Sequence, residues 1–227
     1  MNDPRIIFAD EPGTQQTALA RRQASTYFNV MTTKDRITDA AMRLFGERGY
    51  AATSVALIEQ EAGLAPGSGG LYKHFRSKKA VLDAGIRSRI ESSDDLLPLI
   101  AAVQAAPDRR ASLRAIAAAA LARLDSERDL NRILVRDLAP FPDLLELFRT
   151  AELQRLADAL SAGVVQLEPS LPDRARAALS AVFIGAVSHF WLLADIYGGS
   201  HPLGIDRNAF LDAVADAADA AIARGSS

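Results

Sequence analysis

Apolar residues recur with the period of an α-helix along most of the chain. The first stripe occupies positions i, i+3, i+4, i+7 and i+8 and consists of Ile37, Ala40, Ala41, Leu44 and Phe45. We expect Thr33 to cap this helix, with Asp35 in its first turn. Gly46 and Gly49 are expected to mark its end, because glycine accepts the backbone conformations that terminate helices.

Three shorter elements follow the first helix. Thr53-Ser54 favours an N-cap for the second helix, and Gly63 suits the left-handed residue that ends it. A third element is predicted over 69–75, and Ser77 is expected to cap a fourth. The apolar residues predicted to face inward are Val55, Ile58, Ala62, Leu71, Phe75, Val81, Leu82 and Ile86.

The rest of the chain also reads as helices punctuated by prolines. No strand-like alternation of useful length appears, so the predicted fold class is all-α. Residues 1–30 lack a sustained apolar period, and we expect a mobile tail there; Met31, just before the first stripe, is an alternative start. The helices predicted beyond residue 91 span 109–126, 129–139, 142–166, 173–198 and 206–224.

Charge divides the chain into two unlike parts. Residues 31–90 carry ten basic and six acidic residues, a net +4, whereas residues 91–227 carry a net −6. This asymmetry indicates that the first part meets a polyanion and the second does not. The lack of cysteine fits a reducing cytoplasm. We expect no membrane span, because the most apolar segment, 179–199, is interrupted by polar residues and reads as a buried helix.

The segment LAPGSGGLYKHFRSKK, residues 64–79, combines glycine with lysine in a way typical of phosphate contacts. Its spacing matches neither a Walker loop nor a dinucleotide fingerprint. Two short helices joined by a glycine turn, with one helix before them, form a unit that presents its last helix to duplex DNA. Thr53 and Ser68 would then add hydroxyl donors at helix N-termini close to the DNA backbone.

The run RITDAAMRLFGERGYAATSVALIEQEAGLAPGSGGLYKHFRSKKAVLDAG, residues 36–85, resembles the N-terminal domain of the TetR family of bacterial transcriptional regulators. The resemblance implies an N-terminal three-helix helix-turn-helix DNA-binding domain and a C-terminal helical ligand-sensing and dimerisation domain. On this basis we divide the chain into a tail over 1–30, a DNA-binding domain over 31–77 and a regulatory domain over 78–227.

The resemblance also assigns roles to individual residues. Thr53 resembles the phosphate contact that opens the second helix, and Tyr72 and Lys78 resemble further backbone anchors. Lys73 and His74 lie on the implied recognition helix and face bases or phosphates. The full predicted DNA-binding set is Thr53, Ser54, Ser68, Gly69, Tyr72, Lys73, His74 and Lys78.

One departure and several plainer explanations accompany these assignments. The segment from Gly63 to Tyr72 is about two residues longer than the usual family pattern, which places an insertion within 66–70. This insertion leaves open which residue caps the recognition helix and which side chains enter the groove. Tyr72 is also explained as a core aromatic, His74 as a surface residue, and Lys78 with Lys79 as a solvated face.

Small side chains line one face of each of the last two predicted helices. Such residues let helices approach closely, and the resemblance implies that these helices pair with those of a second copy in a homodimer. Intramolecular packing alone is the alternative. The two stripes are Ala178, Ala181, Gly185 and Ser188, and then Ala213, Ala217, Ala220 and Ala221.

No cofactor or metal site is predicted, because the three histidines share no ligand spacing. Phe141, Phe148, Trp191 and Tyr197 are candidates for an apolar cavity wall, with His189 beside them, although ordinary core packing explains them too. We also find no nucleophile–base pair that would indicate an enzyme.

The predicted function is a homodimeric regulator that binds a palindromic operator in double-stranded DNA, most readily a repressor released by an unknown small-molecule effector. The alternatives are an activator or architectural DNA binder of the same fold, and a helical ligand-binding protein or enzyme without DNA binding.

Overall fold

The computed structural model describes residues 31–92 and 106–225. Every regular element within these ranges is helical, which confirms the all-α prediction. The predicted tail over 1–30 lies outside the described residues. The α-helices are α1 Thr33–Arg48, α2 Val55–Glu61, α3 Lys78–Ser92, α4 Arg109–Ser126, α5 Arg128–Asp137, α6 Pro142–Phe148, α7 Gln154–Leu167, α8 Asp173–Ile196 and α9 Arg207–Gly225, with a 3₁₀ turn at Leu71–Lys73 and a π-helical segment at Arg149–Leu153.

The N-cap of the first helix lies one residue earlier than predicted. Thr32, not Thr33, is the N-cap, and it forms a reciprocal capping box with Asp35. Gly49 ends the helix with a φ of +93°, as predicted. Gly46 instead lies inside the helix, at a position where a Cβ would clash with the Asp129 side chain. The glycine therefore serves the close approach of α5.

A first hydrophobic core joins the N-terminal helices to two helices from later in the chain. Helices α1, α2 and α3 and the 3₁₀ turn contribute most of its buried residues. Leu130 and Ile133 of α5 and Leu144 of α6 are also part of it. The N-terminal head is thus packed on α5 and α6, and the boundary at residue 77/78 stays a prediction.

A second core lies among α4, α7, α8 and α9. Helix α4 runs along α9, where arginines of α4 pair with aspartates of α9; Arg114 Nε, for example, lies 2.9 Å from Asp212 Oδ1. The predicted single helix over 142–166 is realised as the continuous run of α6, the π-helical segment and α7. The other four predicted spans agree with α4, α5, α8 and α9 to within two residues at each end.

Helix α8 has one buried side and one exposed side. It packs against α4, α7 and α9, yet only 28% of its most apolar stretch is buried in this chain. By length and composition α8 is apolar enough to cross a membrane. The core helices of soluble proteins share this property, so it does not by itself indicate a membrane span. Asp195, near its C-terminal end, is held by Arg128 and Arg132 of α5.

Candidate nucleic-acid interface and internal cavity

The turn between α1 and α2 buries the residue that was expected to meet a phosphate. Thr53 is 0% exposed, and its hydroxyl donates within hydrogen-bond distance of two carbonyl oxygens, Gly49 O at 2.8 Å and Leu44 O at 3.2 Å. This burial argues against a side-chain phosphate contact for Thr53, and that role stays a prediction. Its hydroxyl instead ties the end of α1 to the start of α2.

Ser54 takes the position at the helix start that the sequence assigned to the Thr53-Ser54 pair. Its Oγ accepts a hydrogen bond of 3.2 Å from the Leu57 backbone N–H, so Ser54 is the N-cap of α2. The side chain remains exposed. Ser54 is thus the member of the pair that remains available to a ligand.

The predicted recognition helix over 69–75 is not formed. Residues 65–70 follow an irregular path in which Gly67 and Gly69 have φ values of +72° and +75°, a region that favours glycine. Only a single 3₁₀ turn, Leu71–Lys73, follows. The physical reason is local: three glycines within four residues lower helix propensity too far for a regular helix.

A buried carboxylate in α2 holds this irregular segment in place. Glu59 is 0% exposed; its Oε2 accepts from the Gly67 N–H at 2.7 Å and its Oε1 from the Leu71 N–H at 3.0 Å. These two bonds satisfy the carboxylate inside the head and fix both ends of the insertion. The sequence interpretation missed Glu59 altogether.

We name residues 66–74 the reading segment. Within this segment Leu71 is buried, and Phe75, directly after the segment, is buried as well. This confirms the prediction that both residues face inward. Ser68, Lys73 and His74 are exposed, and Gly69 is half-buried. Tyr72 is 56% exposed, so the alternative that Tyr72 is a core aromatic is wrong. The ring of Tyr72 lies 4.0 Å from where a Cβ of Gly69 would be.

The charge of the reading segment is available to a partner. Lys73 and the following Arg76 are both exposed and form no ion pair with another described residue. The Lys34 Nζ, on α1, lies 5.7 Å from the centroid of the Phe75 ring. These cations give the exposed side of the head the field that an anionic polymer needs.

Lys78 is engaged inside the head instead of projecting freely. Its Nζ donates to the carbonyl oxygens of Tyr50 and Thr53, at 2.7 and 2.9 Å, and lies 4.2 Å from the Tyr50 ring centroid. Burial lowers the pKa of Lys78, and Asp137 partly offsets this. A lysine at the start of α3 is thus explained without an external phosphate, and the role of Lys78 as an anchor on the DNA backbone stays a prediction. Ser77 Oγ accepts from Ala80 N–H at 3.1 Å, as predicted for the α3 cap.

Side chains from α5 and α6 fasten the head to the rest of the chain. Arg136 donates to the carbonyl oxygens of Phe45 and Gly46 at the end of α1. Lys79 Nζ lies 2.5 Å from Asp143 Oδ2 of α6, so Lys79 is paired and not simply solvated. Helix α5 is therefore joined directly to the last turn of α1.

A cavity of about 440 Å³ opens among α4, α5, α7 and α8 and the π-helical segment. Phe148, Trp191 and His189 line it, as the sequence suggested. Phe141 instead packs on Tyr50 in the first core, with ring centroids 5.1 Å apart, and Tyr197 is exposed. The wall is mostly apolar, with Arg123, Glu127 and Glu152 as its charged members.

Comparison with known proteins agrees with this architecture. Residues 37–84 match the family model of bacterial regulatory proteins, tetR family. The HTH-type transcriptional repressor KstR2 of Rhodococcus jostii is 35% identical over 94 residues, which are 41% of this chain and 44% of KstR2. The matches cover between 16% and 56% of the length of three curated relatives.

Solved structures share the fold along most of the chain. A TetR-family transcriptional regulator from Mesorhizobium loti superposes with a TM-score of 0.64 at 21% identity, over 85% of this chain and 96% of the other. The regulator FadR of Bacillus subtilis, solved with stearoyl-CoA, gives a TM-score of 0.57 at 17% identity, over 81% and 96%. Residues 37–84, which form most of the helix-turn-helix head described above, therefore match the tetR family of bacterial regulatory proteins, and the solved structures share the fold of most of the chain.

Proposed function

We propose that the chain is a homodimeric transcriptional repressor that binds a palindromic operator through residues 54 and 66–74. The observation that carries this is the reading segment itself, which exposes Tyr72, Lys73 and His74 while Leu71 and Glu59 fix it from within. Side chains presented on a rigid support are what sequence readout requires. The match to the tetR family over 37–84 supports the same role.

Two exposed stripes support the dimer. Ala178, Ala181 and Gly185 of α8 are exposed, and a Cβ on Gly185 would meet nothing within 4 Å. Ala213, Ala217 and Ala220 of α9 are exposed as well. Small side chains on two adjacent helices suit close packing against the same helices of a second copy. Two heads held about 34–36 Å apart would then read half-sites one helical turn apart.

The effector is proposed to bind in the cavity among α4, α5, α7 and α8. Its volume of about 440 Å³ falls within the range of small-molecule sites, and its wall is mostly apolar. FadR of Bacillus subtilis, which shares the fold, was solved with stearoyl-CoA, which supports an apolar ligand here. KstR2, a relative by sequence, is a repressor, which favours repression over activation.

Helix α5 supplies a route from the cavity to the head. Asn131, Leu134 and Val135 line the cavity, while Arg136 binds the end of α1. An effector that favours a different position of α5 would change the separation of the two heads. It regulates DNA binding only if it prefers the state that cannot bind the operator.

Fluorescence anisotropy with labelled duplex from the gene's own upstream region tests this function, with a scrambled duplex of equal length as the control. The expected result is tighter binding to the upstream duplex and a steep loss of affinity as salt rises. Equal, negligible binding to both duplexes at low ionic strength would refute it and favour a helical ligand-binding protein.

A further inference from the structure

Another cavity, of about 400 Å³, lies against the segment that joins α8 to α9, residues 197–206, and we name it the loop cavity. Its volume is in the range of small-molecule sites, and residues of α4, α5, α8 and α9 complete its wall. Trp191 lines the loop cavity as well as the cavity proposed for the effector. The other α8 residues of the loop cavity, Phe190, Ala194 and Asp195, are not part of the exposed stripe, so the loop cavity does not belong to the proposed dimer face.

Two arginines bring hydrogen-bond donors to the loop cavity that the protein leaves unused. Arg128, the first residue of α5, donates through Nε to Asp195, and Arg207, the first residue of α9, donates through Nη1 to Asp125 at 2.8 Å. Neither guanidinium forms a further hydrogen bond or ion pair with the part of the chain that the structure describes. The two side chains are 49% and 47% exposed, so their remaining N–H groups are accessible to a ligand.

The aspartates of the same wall already have partners in the protein. Asp125 also accepts from the Trp191 ring N–H at 3.0 Å, and Asp195 also accepts from Arg132 at 2.7 Å. Asp206 accepts from two backbone N–H groups at the start of α9, at 2.8 and 3.0 Å. The wall therefore offers a ligand mainly donors, and the nearby carboxylates would repel a ligand that carries several negative charges.

Aromatic rings form much of the apolar part of the loop cavity. Phe190, Trp191 and His201 line it. The rings of Phe190 and His201 are stacked, with centroids 4.9 Å apart and 7° between their planes, and Phe210 stacks on Phe190 with centroids 4.0 Å apart. Flat rings in a wall favour a flat aromatic ligand, because ring contacts add to the effect of burying apolar area.

We propose that the loop cavity binds a small aromatic monocarboxylate, whose carboxylate pairs with Arg128 and Arg207 and whose ring packs against the aromatic wall. A carboxylate accepts the paired, planar hydrogen bonds that a guanidinium donates. The proposal does not depend on the effector assigned to the other cavity.

Three probes with one ring and different heads test the charge of the ligand: benzoate, benzyl alcohol and benzylammonium, titrated at neutral pH into the full chain without DNA. Trp191 is the only tryptophan of the sequence, so its fluorescence reports on the cavity wall. Benzoate is expected to bind about tenfold more tightly than benzyl alcohol, which corresponds to added charge-assisted contacts. Benzylammonium is expected to bind most weakly.

A fourth probe, cyclohexanecarboxylate, tests the preference for a flat ring. It keeps the carboxylate but lacks the aromatic ring, so it is expected to bind roughly threefold more weakly than benzoate. Equal or tighter binding of cyclohexanecarboxylate would overturn the aromatic part of the assignment.

A matched pair of variants distinguishes the loop cavity from the other cavity that Trp191 lines. Arg207→Gln should abolish the preference for benzoate over benzyl alcohol, and the fold should persist because the pair of Arg207 with Asp125 is half exposed. Arg87→Gln is the control: Arg87 is also half exposed and paired with one aspartate, but it lies on α3, and all affinities should stay unchanged. A preference for benzoate that persists in Arg207→Gln would overturn the assignment to the loop cavity.

The comparison of probes on the wild-type chain stands even where a variant folds poorly. Benzylammonium binding as tightly as benzoate, or no binding by any probe, overturns the proposal. Because these titrations contain no DNA, such a failure is separate from a failure to bind the upstream duplex, which anisotropy measures independently.

Discussion

At the scale of single residues, the arrangement of the head depends on polar groups that the interior satisfies. Glu59 accepts from Gly67 and Leu71, and the Thr53 hydroxyl donates to Gly49 and Leu44. Each of these side chains gives a backbone group inside the head a hydrogen-bond partner, and leaving such a group unpaired would destabilise the fold. These side chains shape the surface that meets a ligand without themselves being part of it.

The sequence contained a signal for Glu59 that a search for basic and aromatic residues passes over. Glu59 stands four residues after Val55 and three before Ala62, on the inward face of the predicted second helix. A carboxylate on an apolar face indicates a buried partner. Here the partners are backbone N–H groups of the insertion, which no residue type reveals, so the pairing itself could not be predicted.

Glu59→Ala should free the reading segment. Loss of both accepted bonds leaves Gly67 and Leu71 without a protein acceptor, so their amide hydrogens should exchange faster and the affinity for operator DNA should fall at least about tenfold. Glu59→Gln supplies one acceptor oxygen and should recover part of that loss. Hydrogen-exchange mass spectrometry and fluorescence anisotropy measure the two effects.

Glu61→Ala is the matched control for that experiment. Glu61 lies on the same helix but pairs with Arg43 at the surface, where removing an ion pair has little effect. Unchanged exchange at Gly67 and Leu71 in Glu59→Ala would contradict the role given to Glu59.

Thr53→Val should lower the free energy of unfolding by about 1–3 kcal/mol, because it leaves the carbonyl oxygens of Gly49 and Leu44 without their donor. Thr53→Ser retains the hydroxyl and should lose much less. Chemical denaturation measures both. Full stability in Thr53→Val, with weakened DNA binding, would restore the phosphate role that its burial argues against.

Substitutions of Lys73 and Lys78 should differ in their effects on stability and on DNA binding. Lys78→Ala removes the donor to Tyr50 O and Thr53 O, so it should lower the melting temperature and weaken binding to all duplexes alike. Lys73→Ala should leave the melting temperature unchanged, yet alter sequence preference or reduce the salt slope by about one. An operator-variant panel with parallel melting curves distinguishes them, and matching behaviour of the two variants would show the division to be mistaken.

At the scale of helices, predictions succeeded where boundaries are chemically marked. Asp108 caps α4 and Pro142 begins α6, so these starts could be read from the sequence. The prediction of an element over 69–75 was wrong because it followed the apolar residues Leu71 and Phe75, whereas three glycines at 67, 69 and 70 disfavour a helix there. Helix α5 shows a different limit, since its contacts with α1 and α8 depend on tertiary packing alone.

Asp195 couples α8 to α5 and should contribute to stability in a pH-dependent way. Burial opposes its ionisation, but hydrogen bonds from Arg132 and Arg128 outweigh burial and hold its pKa below the usual 3.8. Since the folded-state pKa is depressed, the contribution is present at neutral pH and is lost as pH falls through that pKa.

Asp195→Asn should therefore lower the melting temperature at pH 7 and converge with wild type as the pH falls below about 4. Differential scanning fluorimetry across pH measures this, with the exposed Asp158→Asn as control. A difference between Asp195→Asn and wild type that stays constant down to pH 3 would argue against ion pairing as the cause.

At the scale of the whole molecule, a positively charged head is joined to a negatively charged body. Residues 31–90 carry a net +4 and residues 91–227 a net −6. Such a distribution would direct the head, and not the body, toward the DNA partner proposed above. Composition alone predicts this division of charge, whereas the contact between α5 and the end of α1 is visible only in the folded structure.

The dimer proposed above predicts a specific failure. Ala217→Glu places a charge on the exposed stripe of α9 and should convert the dimer into a monomer, with loss of operator affinity. Ala162→Glu, on the exposed surface of α7, is the control and should remain dimeric. Sedimentation velocity reads the mass directly, and an unchanged mass for Ala217→Glu would place the interface elsewhere.

The hydrogen bonds between Glu59 and the backbone of the reading segment have an evolutionary consequence. Glu59 accepts only from backbone N–H groups, so these bonds do not depend on the side chains at positions 66 and 68, whereas Gly67 and Gly69 are required by their positive φ values. Exposed positions such as Pro66 and Ser68 are therefore free to mutate while the scaffold beneath keeps its shape. In the proposed repressor, single exchanges at these positions would then change the operator preference, which a library randomised at positions 66 and 68 would reveal.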